Sequence, residues 1–172
     1  ANDSLVFDET TVEGFELGMK GRFMDGRLSA EVIGFYFESE DLQVGIFNSN
    51  TTSFTLQNAA VALNYGAEIN TIYQLNDSWQ LRGALSYTYL EFDKWDDAGC
   101  NSIDLPDTPI GACFTNAQGV AVQDVSGEKY GGPPLSINIG ATYNTSIFEG
   151  WGLEASIDTI HHSDGERNPS IG

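Results

Sequence analysis

Two cysteines and a pair of adjacent histidines are the residues of this sequence with the widest chemical repertoire. Cys100 and Cys113 flank a polar segment of twelve residues. An oxidised pair would close that segment into a loop and stabilise it by about 3 kcal/mol in the chain-entropy model, and a location outside the cell would permit such a bond. The spacing therefore predicts a structural disulfide between these cysteines, with a metal-binding or catalytic pair as the alternative.

The adjacent histidines are His161 and His162. Neighbouring side chains of a strand point to opposite faces, so the two imidazoles are poorly placed to chelate one metal ion together. His161 is a candidate ligand contact near the end of a predicted strand. Because the sequence has no nucleophile motif, no phosphate-binding loop and no cluster with metal-ligand spacing, we predict no enzymatic activity, no cofactor and no metal.

The charge and composition exclude several classes of protein. The chain has 172 residues, with 7 Lys+Arg against 25 Asp+Glu, and a formal net charge of -18. A nucleic-acid-binding protein needs a positive footprint, which these few cations do not supply. The aromatic content of 12% argues against a disordered acidic chain. No run approaches the roughly 20 consecutive apolar residues of a membrane-spanning helix.

Alternation of apolar and polar residues is the dominant pattern and predicts about six antiparallel strands. It is strict from Phe15 to Phe23, and an Asp-Gly pair at 25–26 then marks a hairpin. Charged residues at polar positions of the strands are predicted to line the inside of a barrel. These residues are Glu16, Lys20, Arg22, Glu31, Glu68, Arg82, Glu154 and Asp158.

The connections between the predicted strands alternate between short and long. Short links are expected at 24–27, 74–78 and 145–150, and long ones at about 45–53 and 93–132. This asymmetry is typical of an up-and-down transmembrane β-barrel. Aromatic residues beside the short links would form a ring at one membrane interface. They are Phe23, Tyr73, Trp79, Tyr143, Phe148 and Trp151.

Six strands are fewer than the minimum of about eight in bacterial single-chain barrels. The chain is therefore predicted to be all-β and part of a larger barrel, although further strands within 93–132 would raise the count. The acidic segment 93–132 is predicted to be a solvated outer loop. A soluble β-sandwich, in which the aromatics pack a core, is the alternative fold.

Four segments resemble TonB-dependent outer-membrane receptors. Residues 13–23 resemble that family's "E-x-x-E-x-G-x-K" strand, and 58–69, 79–92 and 126–136 resemble later strands and the return from an outer loop. The resemblance implies a 22-stranded barrel closed by an N-terminal plug. It also implies import of ferric siderophores, cobalamin or other scarce nutrients with energy supplied through TonB.

The resemblance implies that residues 1–172 are a partial barrel domain, without the plug and the remaining strands. We expect the chain to belong to a receptor of the Gram-negative outer membrane that imports a nutrient complex, with a ferric siderophore as the leading choice. The expected partners are outer-membrane lipid, the TonB complex through the missing plug, and an extracellular metal chelate, with no nucleic acid. The alternatives are a porin-like passive barrel and a soluble β-sandwich binding module.

Ligand contacts are expected in the outer loops, at 43–54 and 93–132. Phe47 and Trp95 are the candidates there, because exposed aromatic residues often anchor ligands. His161 is the third candidate.

Overall fold

The computed structural model describes residues 9–48, 53–100, 113–117 and 119–165, and of residues 44–48, 53–57 and 59 it describes the backbone alone. No helix in this part of the chain is long and apolar enough to cross a membrane. All regular structure there is β-strand. The strands are β1 (Thr11–Phe23), β2 (Leu28–Asn48), β3 (Ser53–Gln74), β4 (Trp79–Lys94), β5 (Ala98–Gly99), β6 (Phe114–Thr115), β7 (Ala121–Gln123), β8 (Leu135–Phe148) and β9 (Trp151–His162).

Six long strands form one antiparallel sheet, the main sheet, in the order β1-β2-β3-β4-β8-β9. Each strand pairs with its neighbour along this order, as an up-and-down topology requires. In the described part of the chain β1 and β9 are the two edges, so the sheet is an open section of a barrel wall. The predicted fold class and the predicted number of long strands are confirmed.

Short turns join the strands at one end of the main sheet, the turn end. Residues 24–27 close the first hairpin, where the backbone φ angles are 56° at Asp25 and 85° at Gly26. Glycine reaches such positive angles at no steric cost. In the second turn the Asn76 side chain accepts hydrogen bonds from the backbone N–H groups of Ser78 and Trp79, both at 2.9 Å. Both turns agree with the prediction.

Two predicted connections are shorter than expected. The link predicted at 45–53 is mostly strand, because β2 and β3 extend as a hairpin of 21 and 22 residues. The alternation is interrupted by an irregularity between Ser39 and Leu42, where Asp41 has a φ of 54°. The Asn58 side chain donates a 2.8 Å hydrogen bond to the Asp41 carbonyl and holds this bulge. At 145–150, strand structure likewise continues to Phe148.

The register divides the side chains of the main sheet between two faces. The apolar face carries large, exposed side chains such as Leu17, 78% exposed, and Ile157, 72% exposed. The polar face carries every charged strand residue predicted to point inward, because all of them share the opposite parity along their strands. Between the aromatic rows described next, the apolar face has no charged residue in the described strands.

Two rows of aromatic residues cross the apolar face. The predicted row lies at the turn end, where the rings of Trp79 and Tyr143 are 4.9 Å apart. A second row, not predicted, lies towards the other end of the sheet and consists of Phe15, Tyr36, Tyr65 and Tyr89, with neighbouring ring centroids 5.9, 6.3 and 4.9 Å apart.

The two rows enclose a band of similar height across the sheet. Phe15 and Phe23 are eight residues apart, as are Tyr65 and Tyr73. Eight residues span about 26 Å along a strand. An apolar band of similar height, bordered by aromatic residues, is typical of the lipid-facing surface of membrane barrels.

A small separate structure, the cap, lies at the end of the main sheet opposite the turn end. It comprises the described residues between 95 and 130, built on a three-stranded sheet in the order β5-β7-β6. These are further strands within 93–132, as the sequence allowed, but they do not add to the six strands of the main sheet. The buried apolar core of the described chain lies where the cap meets the main sheet.

Candidate functional site

The cap is tied to β4 by the chain segment that returns from it to β8. This return segment, residues 125–134, runs antiparallel to the end of β4. The Phe92 N–H donates to the Glu128 carbonyl at 2.9 Å, and the Tyr130 N–H donates to the Leu90 carbonyl at 3.1 Å. Because these backbone bonds continue the pairing of β4 with β8, the cap is a folded extension of the barrel wall.

The cap folds over the polar face of the main sheet. Ala62 on β3 and Phe92 on β4 are cross-strand partners and both belong to that face. They contribute to one apolar cluster with the cap. The buried members are Ala60, Ala62, Phe92, Trp95, Ala98 and Val125, with Leu42 and Tyr130 packed against them. The cap thus covers the polar face at its outer end.

Trp95 is the central residue of this cluster and is only 5% exposed. Its ring packs edge-on against Phe92 with centroids 4.7 Å apart. Its backbone N–H donates to the Ser126 hydroxyl at 3.0 Å, and its carbonyl accepts from the Val125 N–H at 3.0 Å. The expectation that Trp95 is an exposed ligand contact therefore does not hold in this structure, because the ring is enclosed by the cap core.

A disulfide joins Cys100 and Cys113, whose Cα atoms are 5.9 Å apart. Cys100 directly follows β5 and Cys113 directly precedes β6. Both strands pair with β7, so the bond connects the two outer strands of the cap sheet.

Two titratable groups of the cap have pKa values that differ from their usual ones. Hydrogen bonds from the Ser126 side chain and backbone to the Asp124 carboxylate lower the pKa of Asp124. Burial raises the pKa of Tyr130, whose ring stacks on Phe92 at 4.3 Å. The shift of Tyr130 follows from the packing of the return segment on β4, whereas the shift of Asp124 arises within a local turn, because Ser126 is only two residues away.

The other two predicted contacts lie far apart in the main sheet. Phe47 is near the tip of the extended β2–β3 hairpin, with its Cα opposite that of Phe54. The side chain of Phe47 lies outside the described part of the structure. His161 is the cross-strand partner of Ile137 on the apolar face, whereas His162 pairs with Ser136 on the polar face. Of the two imidazoles, that of His162 is thus on the side of the barrel interior.

The half of the polar face near the turn end holds an ion pair. Arg82 on β4 reaches across β8 to Asp158 on β9, with Nη2 and Oδ1 2.9 Å apart. The Arg82 Nη1 also donates to the Thr142 hydroxyl at 2.7 Å. Gly140 belongs to β8, which lies between β4 and β9. A Cβ at this position would collide with the Asp158 carboxylate. The pair borders a shallow concavity of about 360 Å³ that also includes Lys20.

The half of the polar face below the cap holds two aromatic rings that sequence reasoning missed. Phe35 and Phe37 are stacked with centroids 6.1 Å apart. Each ring lies over the glycine that is its cross-strand partner: Gly66 for Phe35, and Gly14 for Phe37. The run Phe35-Tyr36-Phe37 places aromatic residues on both faces of the sheet. This break in the alternation of apolar and polar residues was the signal that could have indicated aromatic rings on the polar face.

Beside these rings the polar face is rich in hydrogen-bond acceptors. Asn64 is the cross-strand partner of Phe37, and its Oδ1 is buried with no donor among the described residues. Glu68 lies on the same face, four residues further along β3. Within the described ranges no group of three or more His, Cys, Asp and Glu residues is arranged to hold a metal ion.

Comparison with protein families identifies the chain. Residues 4–170 match the family model described as TonB dependent receptor-like, beta-barrel. Curated proteins and solved structures gave no match. The match spans nearly the whole chain and agrees with the open antiparallel sheet, the charge-free band of its apolar face and its polar opposite face. The chain therefore belongs to the TonB-dependent receptor-like β-barrel family.

Proposed function

We propose that this chain is a section of the wall of an outer-membrane receptor that imports a ferric siderophore. The family match over residues 4–170 carries the proposal, because it links the fold to receptors that transport nutrients across the Gram-negative outer membrane. In the complete receptor the wall is closed by further strands, to 22 in all, and filled by a plug that contacts TonB. None of these additional parts is among the residues that the structure describes.

Two features of the main sheet support a membrane location. The apolar face leaves side chains such as Leu17 and Ile157 uncovered, and such a surface is favourable only against lipid or another apolar layer. The polar face carries both acidic and basic residues, as expected for a barrel interior that contains water or a plug. A β-sandwich would need a second sheet on the apolar face, and the described part of the chain supplies none.

The capped outer end favours a selective receptor over a passive pore. The cap packs on the polar face through Phe92 and Trp95, so it narrows the entrance on the side of the long connections. These connections face the outside in bacterial barrels. In a closed wall of this kind, the cap would border the route of a ligand into the barrel interior.

Uptake by the bacterium that encodes the receptor tests this proposal. Deleting the gene should abolish uptake of a radioactive ferric siderophore under iron limitation, and the intact gene on a plasmid should restore it. Dissipating the proton gradient should stop the restored uptake, because transport depends on energy from the inner membrane. Uptake that continued without the gradient would instead indicate a porin-like pore, and unchanged iron uptake in the deletion strain would exclude a siderophore as the ligand.

A further inference from the structure

The cap half of the polar face, defined by Glu16, Phe35, Phe37, Asn64 and Glu68, has a chemistry of its own. Its two phenylalanine rings stack at 6.1 Å and are half-buried. Because each covers a glycine, the rings lie close against the backbone and leave a flat apolar surface towards the barrel interior. Flat rings of this kind favour contact with planar or apolar parts of a ligand.

The polar residues next to these rings offer oxygen atoms that can accept hydrogen bonds from a ligand. Asn64 Oδ1 is buried without a partner among the described residues. A buried acceptor left unpaired is unfavourable because it has lost its hydrogen bonds to water, so a ligand N–H or O–H at this position would be favoured. Glu68 adds a carboxylate, which in its ionised form accepts hydrogen bonds and donates none.

Hydroxyl groups extend this row of polar groups across the sheet. Glu68 pairs with Ser86, Ser86 with Ser136, and Ser136 with His162. All four side chains are on the polar face, with neighbouring strands about 4.8 Å apart. The row therefore offers hydrogen-bonding groups over the width of four strands.

Positive charge is placed at the other half of the polar face. Lys20, Arg22 and Arg82 all lie in rows nearer the turn end, and Arg82 is paired with Asp158. In the cap half, the acidic and basic residues of the described strands on this face are the acids Glu16 and Glu68 and, on the edge strand β9, His162.

The cap above this surface is acidic as well. Lys94, at the end of β4, lies 3.8 Å from the Asp96 carboxylate of the cap, and Lys129 lies over the Tyr89 ring on the apolar face. Clefts lined by one sign of charge concentrate ligands of the opposite sign and repel those of the same sign. The local field in this region therefore disfavours an anionic ligand.

We propose that the cap half of the polar face is the ligand contact of this wall, and that the ligand is uncharged or cationic. The ligand bears N–H or O–H donors for Asn64 and Glu68 and an apolar surface for Phe35 and Phe37. This inference rests on the proposed import function, and it deepens that function by naming the charge class of the imported complex.

Binding to the complete receptor in lipid vesicles tests the proposal. The probes are an uncharged and a cationic ferric tris-hydroxamate, a strongly anionic ferric tris-catecholate, and uncharged cobalamin. We expect at least one uncharged or cationic probe to bind about tenfold or more tightly than the catecholate. Glu68→Gln should weaken binding of the cationic hydroxamate by about tenfold, the factor expected for losing one charged hydrogen bond.

A matched variant separates this site from a general effect of charge. Glu154→Gln makes the same change on the polar face near the turn end and should leave binding unaltered. Phe37→Leu provides a second variant at the site and should weaken binding of every probe that binds. The heat-dependent mobility of each receptor on gels checks that it is folded.

The outcomes distinguish this inference from the proposed function. Tightest binding of the catecholate would overturn the inference while leaving siderophore import intact. Binding of cobalamin alone would support the inference and contradict siderophore import. Failure of all uncharged and cationic probes to bind, or equal effects of Glu68→Gln and Glu154→Gln, would also overturn the inference.

Discussion

The main sheet and the cap differ in the exposure of their apolar side chains. The main sheet is a single layer that leaves Leu17, Ile139 and Ile157 exposed, whereas the cap encloses Trp95 and Val125 in a core of its own. Both regions belong to one chain and meet at the end of β4. The difference shows that they are built for different surroundings: the cap is arranged like a small soluble domain, and the main sheet needs an apolar medium against one face.

The cap should be the region most sensitive to loss of a single side chain. Trp95→Ala removes the ring that packs against Phe92, and replacing a buried tryptophan by alanine costs about 3–5 kcal/mol. We expect faster amide hydrogen exchange across β7 and the return segment of the complete receptor in vesicles. Phe114→Ala, at an exposed ring of the same cap, should change exchange little. Equal destabilisation of the main sheet would contradict the separation of the two regions.

The main sheet should be sensitive to charge on one face only. Ile69 lies midway between Tyr65 and Tyr73 on the apolar face. Arginine at the middle of a bilayer costs about 2–4 kcal/mol, so Ile69→Arg should lower the free energy of unfolding from vesicles by that amount. Asn70→Arg places the same side chain on the polar face and should have a much smaller effect. Similar losses for both variants would refute a lipid-facing apolar surface.

The ion pair between Arg82 and Asp158 should form only while residue 140 has no side chain. Gly140→Ala would place a methyl group against the Asp158 carboxylate and separate it from Arg82. Since both side chains are partly exposed, the pair contributes about 0.2–1 kcal/mol, and we expect a loss of about 1 kcal/mol in urea unfolding. Gly152→Ala, where an added Cβ meets only ordinary contacts, is the control. No difference between the two variants would argue against the pair.

Acid should loosen the cap before it affects the main sheet. The folded pKa of Asp124 is below its usual value of 3.8, so its hydrogen bonds to Ser126 stabilise the cap above that pH. This stabilisation is lost as the pH falls through the lower, folded value. The protection of the return-segment amides, taken as their exchange rate relative to the intrinsic rate at the same pH, should fall on acidification, and Asp124→Asn should make that fall slightly smaller. Asp93→Asn, elsewhere in the acidic segment, serves as the control, and an identical effect there would contradict the assignment.

The alternation of residue types was sufficient to predict the main sheet. Phe15 to Phe23 and the Asp-Gly turn locate the first hairpin because side-chain period and turn chemistry are both local properties. The extended β2–β3 hairpin escaped prediction because the bulge at Asp41 interrupts the alternation. The second aromatic row became visible only through the register, which brings residues from four strands to one height.

The candidate site was less predictable because burial in the cap is not a local property. Trp95 is flanked by charged residues, a pattern typical of an exposed loop, yet Val125 and the β3 alanines enclose it after the chain returns. Phe35 and Phe37 were seen as part of a strand, but their position over Gly66 and Gly14 depends on the pairing of β2 with its neighbours. Family resemblance gave the class of protein and did not give these contacts.

The disulfide has a consequence for how such a receptor can diversify. Because Cys100 and Cys113 are held with their Cα atoms 5.9 Å apart at the border of the cap sheet, the residues between them are attached at what is nearly a single point. Their number and composition can change with little effect on the fold beneath, since longer loops add only a small entropic cost. We expect insertions and substitutions between the two cysteines to be tolerated while the main sheet is preserved.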